Sequence, residues 1–349
     1  MVKNQAIRST IWKAALILLV GGALGMVGAV RLGGWVGDES PGLLYWSFAE
    51  GHGALFRLDV ERRLTVRLAS PPDYRLINPP QLSPDGSHIL FEVDRDGDRA
   101  LFITTLSGDV LFESDRRSAT RLPVWSPDGQ EIAFWSTRDG FWRFYRMDWD
   151  GSGRRQISTR VGLMPYTYPL WSPDGQRILF RLWAARFGAT IFLLDLRDGS
   201  TRDLTERLSA AGDLAWSPDG MRLAFRSEKD RNGEVYLLDV VSGALANLTH
   251  HPAIDFQPAW SPDGQEIVFV STRSGPGELF VMRADGSNVR QITHGGGWQP
   301  VWSPAGDLIA FVSRRDGSDA LYVVRPDGSG LRPVLRLTQQ IIFLGWQRG

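Results

Sequence analysis

Three aspartates at alternate positions, Asp94, Asp96 and Asp98, with Gly97 among them, form the most compact acidic arrangement in the chain and invite comparison with a calcium loop. The comparison fails on spacing. The Gly stands at the fourth position where an EF-hand needs it at the sixth, and position twelve is Thr105 where a bidentate Glu is required. A solvated hairpin tip is the reading that remains. Covalent chemistry finds no support either. The chain has no Cys, which removes disulfides, thiolate nucleophiles, Cys-ligated metals and a lipid-modified Cys. It also has no G-x-S-x-G that would place a serine on a nucleophile elbow. Other residues with chemical potential recur too regularly to form one site. Asp85, Asp128, Asp174, Asp219 and Asp263 each follow Ser-Pro, and Trp125, Trp171, Trp216, Trp260, Trp302 and Trp346 recur at one register. One active site cannot be copied onto every repeat. The aspartates therefore read as turn formers and the tryptophans as structural packing between repeats.

The repeat that positions these residues begins after residue 42. LSPDG at 82 to 86 returns as WSPDG at 125, 171, 216 and 260 and as WSPAG at 302, with starts 43, 46, 45, 44 and 42 residues apart. A Phe follows each leader nine residues on (Phe91, Phe134, Phe180, Phe225, Phe269, Phe311), and a second aromatic stands twenty or twenty-one residues after the leader. Ser-Pro-Asp-Gly suits a tight turn, because Pro presets φ, Asp bonds the adjacent backbone and Gly accepts the left-handed conformation. Stretches such as EIVFVS at 266 to 271 alternate with the period of two that a strand needs. Four strands in a repeat of this length predict a propeller blade. The segment from 43 to 68 supplies strands two to four of a further blade, and IIFLGW at 341 to 346 supplies its missing first strand with Trp346 as leader. The expected fold is thus all-β, a seven-bladed β-propeller over 43–349 closed by pairing of its two terminal segments. Closure in this way removes open sheet edges.

Upstream, residues 1–13 form a basic lead-in and 14–30 an uncharged apolar run long enough, at roughly 26 Å as a helix, to act as a transmembrane signal-anchor or a signal peptide. Residues 31–42 are a linker. Lys3, Arg8 and Lys13 precede the run and only Arg31 follows closely, so the positive-inside rule places everything downstream outside the cytoplasm. The expectation is a periplasmic or extracellular propeller held to a membrane, or a secreted one after cleavage. Net charge is zero overall, but those four cations lie in the first segment, leaving 35 basic against 39 acidic residues after Arg31. Such a domain should repel phosphate backbones, and no nucleic-acid partner is expected.

The WSPDG, IxFxS and LYxxxxDGS blocks resemble the TolB-type, WD-like propeller repeat, which is also found in prolyl-oligopeptidase relatives and tricorn-type proteases. The resemblance covers residues 43 to 346. It implies that the first strand of each blade lines a central channel and that the propeller serves as a docking platform, a substrate gate or, occasionally, a catalytic site. Residues 1 to 41 leave no room for the N-terminal α/β domain of TolB and no G-x-S-x-G marks a hydrolase domain, so the expectation is a propeller that departs from TolB itself and from the peptidases. It is also similar in repeat type to oligogalacturonate lyases, and that resemblance implies a divalent metal held by His250, His251, Gln257 and His294. Read from the residues alone, His250 and His294, each directly after a Thr in adjacent crossovers, fit turn capping.

Strand alternation places the SPDG and DGS turns on one repetitive face and the crossovers on an irregular one. Variable loops on a rigid scaffold are the place to look for function. That face carries Tyr166, Tyr168, Asp213, His250, Asp255, His294 and Trp298 as candidate binding residues. The expectation is a non-catalytic module that binds a protein, peptide or glycan there without a cofactor, and whose crossover residues contribute little to blade packing. A metal-assisted polysaccharide lyase is the enzyme alternative. Arg138, Arg273 and Arg314, recurrent in the turn between strands two and three, are expected to form salt bridges between blades.

Overall fold

The structure, a computed structural model, describes residues 42–47, 54–61, 65–69, 75–78, 80–95, 98–115, 118–158, 164–165, 167–184, 188–204, 212–336 and 341–347. The basic lead-in, the apolar run 14–30 and the linker up to residue 41 lie outside these. Among the described residues every regular element is a strand, and no helix is long and apolar enough to cross a membrane.

Seven antiparallel sheets follow one another along the chain. Blades 2, 4, 5 and 6 run from Thr120 to Gln156, Gly212 to Asn247, Asp255 to Gln291 and Trp298 to Arg336. In blade 1 (Arg75 to Glu113) and blade 3 (Met164 to Asp203) the first strand is split into two short pieces. Blade 7 is assembled from both terminal segments: Gly42–Ser47 pairs antiparallel with Ile341–Gln347, Leu43 opposite Trp346, as the closure argument requires. First strands of successive blades lie against one another, Gly212–Trp216 on Asp255–Trp260 and the latter on Trp298–Trp302, which makes them the inner strands of the ring.

Each SPDG turn closes in one way. The Gly amide donates to the Ser carbonyl at 2.9 Å in all six copies, with Gly φ between 68° and 76°. In five copies the Asp carboxylate accepts from the Ser hydroxyl and from the amide two residues on, as Asp263 does from Ser261 and Gln265. Those two donors hold the Asp263 carboxyl below the ordinary carboxylate range. The sixth copy has Ala305, and there Asp307 reaches back to take the Ser303 hydroxyl at 2.7 Å. Substitution within the motif was therefore compensated two residues along.

Between the sheets, the Phe nine residues after each leader stacks on the aromatic of strand three, with ring centroids 5.6 to 6.0 Å apart for Phe134–Tyr145, Phe180–Phe192, Phe225–Tyr236, Phe269–Phe280 and Phe311–Tyr322. The leading tryptophans do join blades. Trp125, Trp216, Trp260 and Trp302 each donate Nε1 to a carbonyl of the preceding blade, of Gln81, Leu170, Ala215 and Ala259 respectively, at 3.1 to 3.4 Å. Trp171 is buried but its Nε1 has no partner.

The expected inter-blade salt bridges are not what the arginines make. Arg273 pairs with Asp255 of its own blade at 2.9 Å and lies over the Phe269 and Phe280 rings. Its structural counterpart in blade 6 is Arg315, over Phe311 and Tyr322, whereas Arg314 pairs locally with Asp319. Arg138 sits over Tyr145, also within one blade. The reason is reach: a guanidinium at the strand-two exit meets its own blade's aromatic pair before it meets a neighbour.

Candidate functional site

The inner strands are interrupted three residues before the leader. Leu122, Asp213, Gln257 and Gln299 all adopt left-handed φ, between 47° and 56°, and the pairing with strand two skips at each. Holding an ordinary side chain there costs on the order of 1 kcal/mol or more, and bulges of this kind re-aim side chains next to functional sites. Nothing in the residue alternation of the strands signals them. Their effect is to turn the amide of one blade toward the side chain of the blade before. Gln257 donates its amide to Asp213 at 3.2 Å, and Gln299 donates to Gln257 Oε1 at 2.7 Å. Burial raises the Asp213 carboxyl above its usual range.

At the first of these bulges the arrangement becomes a cluster. Glu92, ten residues after its leader on strand two of blade 1, is buried. Its Oε2 accepts from Asn78 Nδ2 at 2.8 Å and from the Leu122 amide of blade 2 at 3.1 Å, and its Oε1 from Arg99 at 3.2 Å. Burial still pushes its carboxyl up. Arg121 of blade 2 lies 5.1 Å over the Trp142 ring. Tyr168 of blade 3 feels the charges of Glu92 and Arg99, lies close to the Asn78 side chain and is pushed well above the ordinary tyrosine range, chiefly by burial. Blades 1 and 3 are not neighbours, so groups from both can meet only on the inner side of the ring. Phe141, next to Trp142 in sequence at the tip of the blade 2 hairpin, is 62% exposed.

The other sequence candidates disperse. Tyr166 lies outside the described residues. Asp255 is fully buried against Arg273, and Trp298 opens an inner strand and packs on the cores of blades 5 and 6. Both correct the expectation that crossover residues contribute little to packing, because the chain enters the inner strand earlier than the motif spacing suggests. His250 and His294 are exposed at their crossovers. The Thr before each hydrogen-bonds a buried glutamate, Thr249 to Glu234 and Thr293 to Glu278. Further amides of the same crossovers, His251 in one and Gly295 and Gly296 in the other, bond the same two acids. The shared Thr-His position thus marks a loop anchor. His251 Nδ1 accepts from the Ala253 amide, and His294 Nδ1 meets the Gln291 side chain. No three His, Asp or Glu side chains among the described residues form a metal-binding group.

Sequence reasoning singled out Tyr168 from the cluster and missed Asn78, Glu92, Arg99, Arg121 and Trp142. A signal existed. At the position of Glu92 the other six blades carry Trp46, Trp135, Arg181, Arg226, Val270 and Val312, so a carboxylate appears once.

Comparison with known proteins bears on the scaffold. The sequence matches the TolB beta propeller domain over residues 35–181 and 160–339. The chain belongs to that family. No curated protein sequence matches it. Among solved structures, this TolB-type propeller is similar to a protein of Agrobacterium tumefaciens provisionally assigned as TolB, at 22% identity and a TM-score of 0.51, over 86% of this chain and 90% of that one. It is similar to oligogalacturonate lyase from Vibrio parahaemolyticus at 16% identity and 0.63, over 81% and 85%. It is also similar to a puromycin-hydrolyzing peptidase of Mycobacterium tuberculosis at 13% and 0.61, over 90% of this chain and 56% of the peptidase. At such identities the likeness concerns the fold.

Proposed function

We propose that this TolB-type propeller is a non-catalytic binding module, carried outside the cytoplasm by the apolar segment 14–30, that takes a protein or peptide partner on its irregular face. The observation that supports it most is the convergence of Asn78, Glu92, Arg99, Arg121 and Tyr168 from three blades beside the aromatic pair Phe141 and Trp142. Aromatic and arginine side chains around a partly desolvated centre are the composition of a binding hot spot. The repetitive face has its own hollow, about 970 Å³, between blades 4 to 6, but turn residues with fully local hydrogen bonds, such as Asp263, supply much of its wall. A photocrosslinker placed at Phe141 in the full chain, in its native membrane, should give a discrete adduct that one placed at Asp128 does not. Adducts from Asp128 alone, or from neither, would overturn the assignment of the face.

The likeness to oligogalacturonate lyase favours one second reading, a metal-assisted lyase using His250, His251, Gln257 and His294. Elemental analysis of the purified chain decides it: a near-stoichiometric divalent metal released by His250→Ala or His294→Ala would establish a metal site.

A further inference from the structure

The cluster at the inner ends of blades 1 to 3 carries a charge imbalance that its own contacts leave unresolved. Both oxygens of Glu92 are occupied, Oε1 by Arg99 and Oε2 by Asn78 and the Leu122 amide. Arg99 is thereby matched. Arg121 is not: its Nε is buried without a hydrogen-bond partner, and no acceptor among the described residues bonds its guanidinium. Among the described residues its surroundings include the Trp142 ring, the like charge of Arg99 and the already engaged Glu92. Burial, then Arg99, pulls its proton affinity below that of an ordinary arginine.

A second guanidinium beside Arg99 in a partly desolvated place does nothing for stability, since like charges repel more strongly as water is removed. What would resolve it is an incoming anion. A guanidinium over an indole face still offers its N–H edge, and that edge presents parallel N–H groups which match the two oxygens of a carboxylate. The rim of the place is apolar and exposed, because Phe141 stands next to Trp142 on the same hairpin tip with 62% of its surface accessible. An extended peptide with an acidic residue beside an apolar one would satisfy both features at once.

We infer that Arg121, with Arg99 beside it and Phe141 and Trp142 as its apolar rim, binds the carboxylate of an acidic peptide segment. The inference rests on the reading of the irregular face as a peptide- or protein-binding surface and specifies the ligand chemistry of that surface.

The test uses the purified full chain and a synthetic peptide library in matched pairs, each acidic peptide accompanied by its Asp→Asn or Glu→Gln form, with oligogalacturonate as a separate acidic probe. The expected binders contain an acid whose amide form binds at least tenfold more weakly. Arg121→Gln should lower affinity for the acidic member by a similar factor and leave that for the amide member unchanged, while its melting temperature equals or exceeds that of the parent. Arg121→Lys, which keeps charge but not the fork, should fall between. If acid and amide members bind the parent alike, the carboxylate inference is wrong while the binding-module reading stands; this comparison needs no variant and so survives a failure of Arg121→Gln to fold. Equal weakening of both members by Arg121→Gln would also overturn it. If no peptide binds, the broader reading falls with it, and oligogalacturonate binding lost on Arg121→Gln would transfer the site to acidic glycans.

Discussion

Two kinds of buried acid occupy the irregular face, and their partners separate scaffold from site. Glu278 of blade 5 accepts from Thr293, Gly295 and Gly296, and Glu234 of blade 4 from Asn232, Thr249 and His251, all of them within the blade or the crossover that leaves it. Each acid fixes a loop and is then satisfied. Glu92 instead draws on blades 1 and 2, acts on Tyr168 of blade 3, and sits beside an arginine that has no acceptor among the described residues. A buried polar network is costly when half satisfied, so its persistence beside a rigid, fully satisfied counterpart is a mark of use.

The sharpest way to break this contrast is to cut the scaffold where repetition is strictest. Trp260→Ala removes a buried indole that bonds the Ala215 carbonyl and lies under Arg222 of blade 4. The expected loss is about 3 to 5 kcal/mol, read by denaturant unfolding. Phe141→Ala, on the exposed rim, should change stability by no more than about 0.5 kcal/mol. A comparable loss from both would mean that the hairpin tip is structural as well.

Next in size is Asp255→Ala. Removing one partner of a buried ion pair leaves Arg273 only partly solvated, and about 3 kcal/mol should be lost. If this variant instead unfolded like the parent and failed only in partner binding, the sequence-based placement of Asp255 among binding residues would be supported.

Those two substitutions also show what was legible. Blade count, turn chemistry and the leader tryptophans could be read from spacing, because each is a local or periodic requirement repeated six or seven times, and closure through residues 341 to 347 followed from the one repeat that lacked its first strand. The site was not periodic. Asp255 and Trp298 read as crossover residues but open inner strands, since hydrogen bonding begins the inner strand upstream of any motif, and the bulges at Leu122, Asp213, Gln257 and Gln299 oppose side-chain preference instead of following it. Arg121 is mute in sequence because its meaning lies in the absence of an acceptor, which exists only after the blades have packed.

A smaller effect should follow from the turn that departs from the motif. Asp307→Ala leaves the Ser303 hydroxyl and the Leu308 amide it supports without their carboxylate, at a cost of about 1 kcal/mol. Adding Ala305→Asp to this variant should restore most of the loss, whereas Ala305→Asp alone should gain little, and thermal melts of the three proteins check it. Additive effects would mean that Asp307 does not substitute for the missing motif aspartate.

The smallest expected effect concerns the protonation of Glu92 itself. Burial raises its folded-state carboxyl above the unfolded value, so between the ordinary carboxylate range and that raised value the folded chain binds more protons than the unfolded one. Stability must then fall as pH rises through this window, by at most about 1.4 kcal/mol per pH unit for one group. Asp213 and Asp255, raised by burial in the same direction, add to the slope. Turn aspartates act the other way: Asp195, brought to about 2 chiefly by Arg197, contributes stability that is lost only on strong acidification. Melting temperature should therefore peak at mildly acidic pH, and Glu92→Gln should flatten the descent above that peak without altering the acid limb. An unchanged descent would mean that Arg99 and Asn78 already compensate the burial of Glu92, which would leave the cluster as settled as the acids of blades 4 and 5.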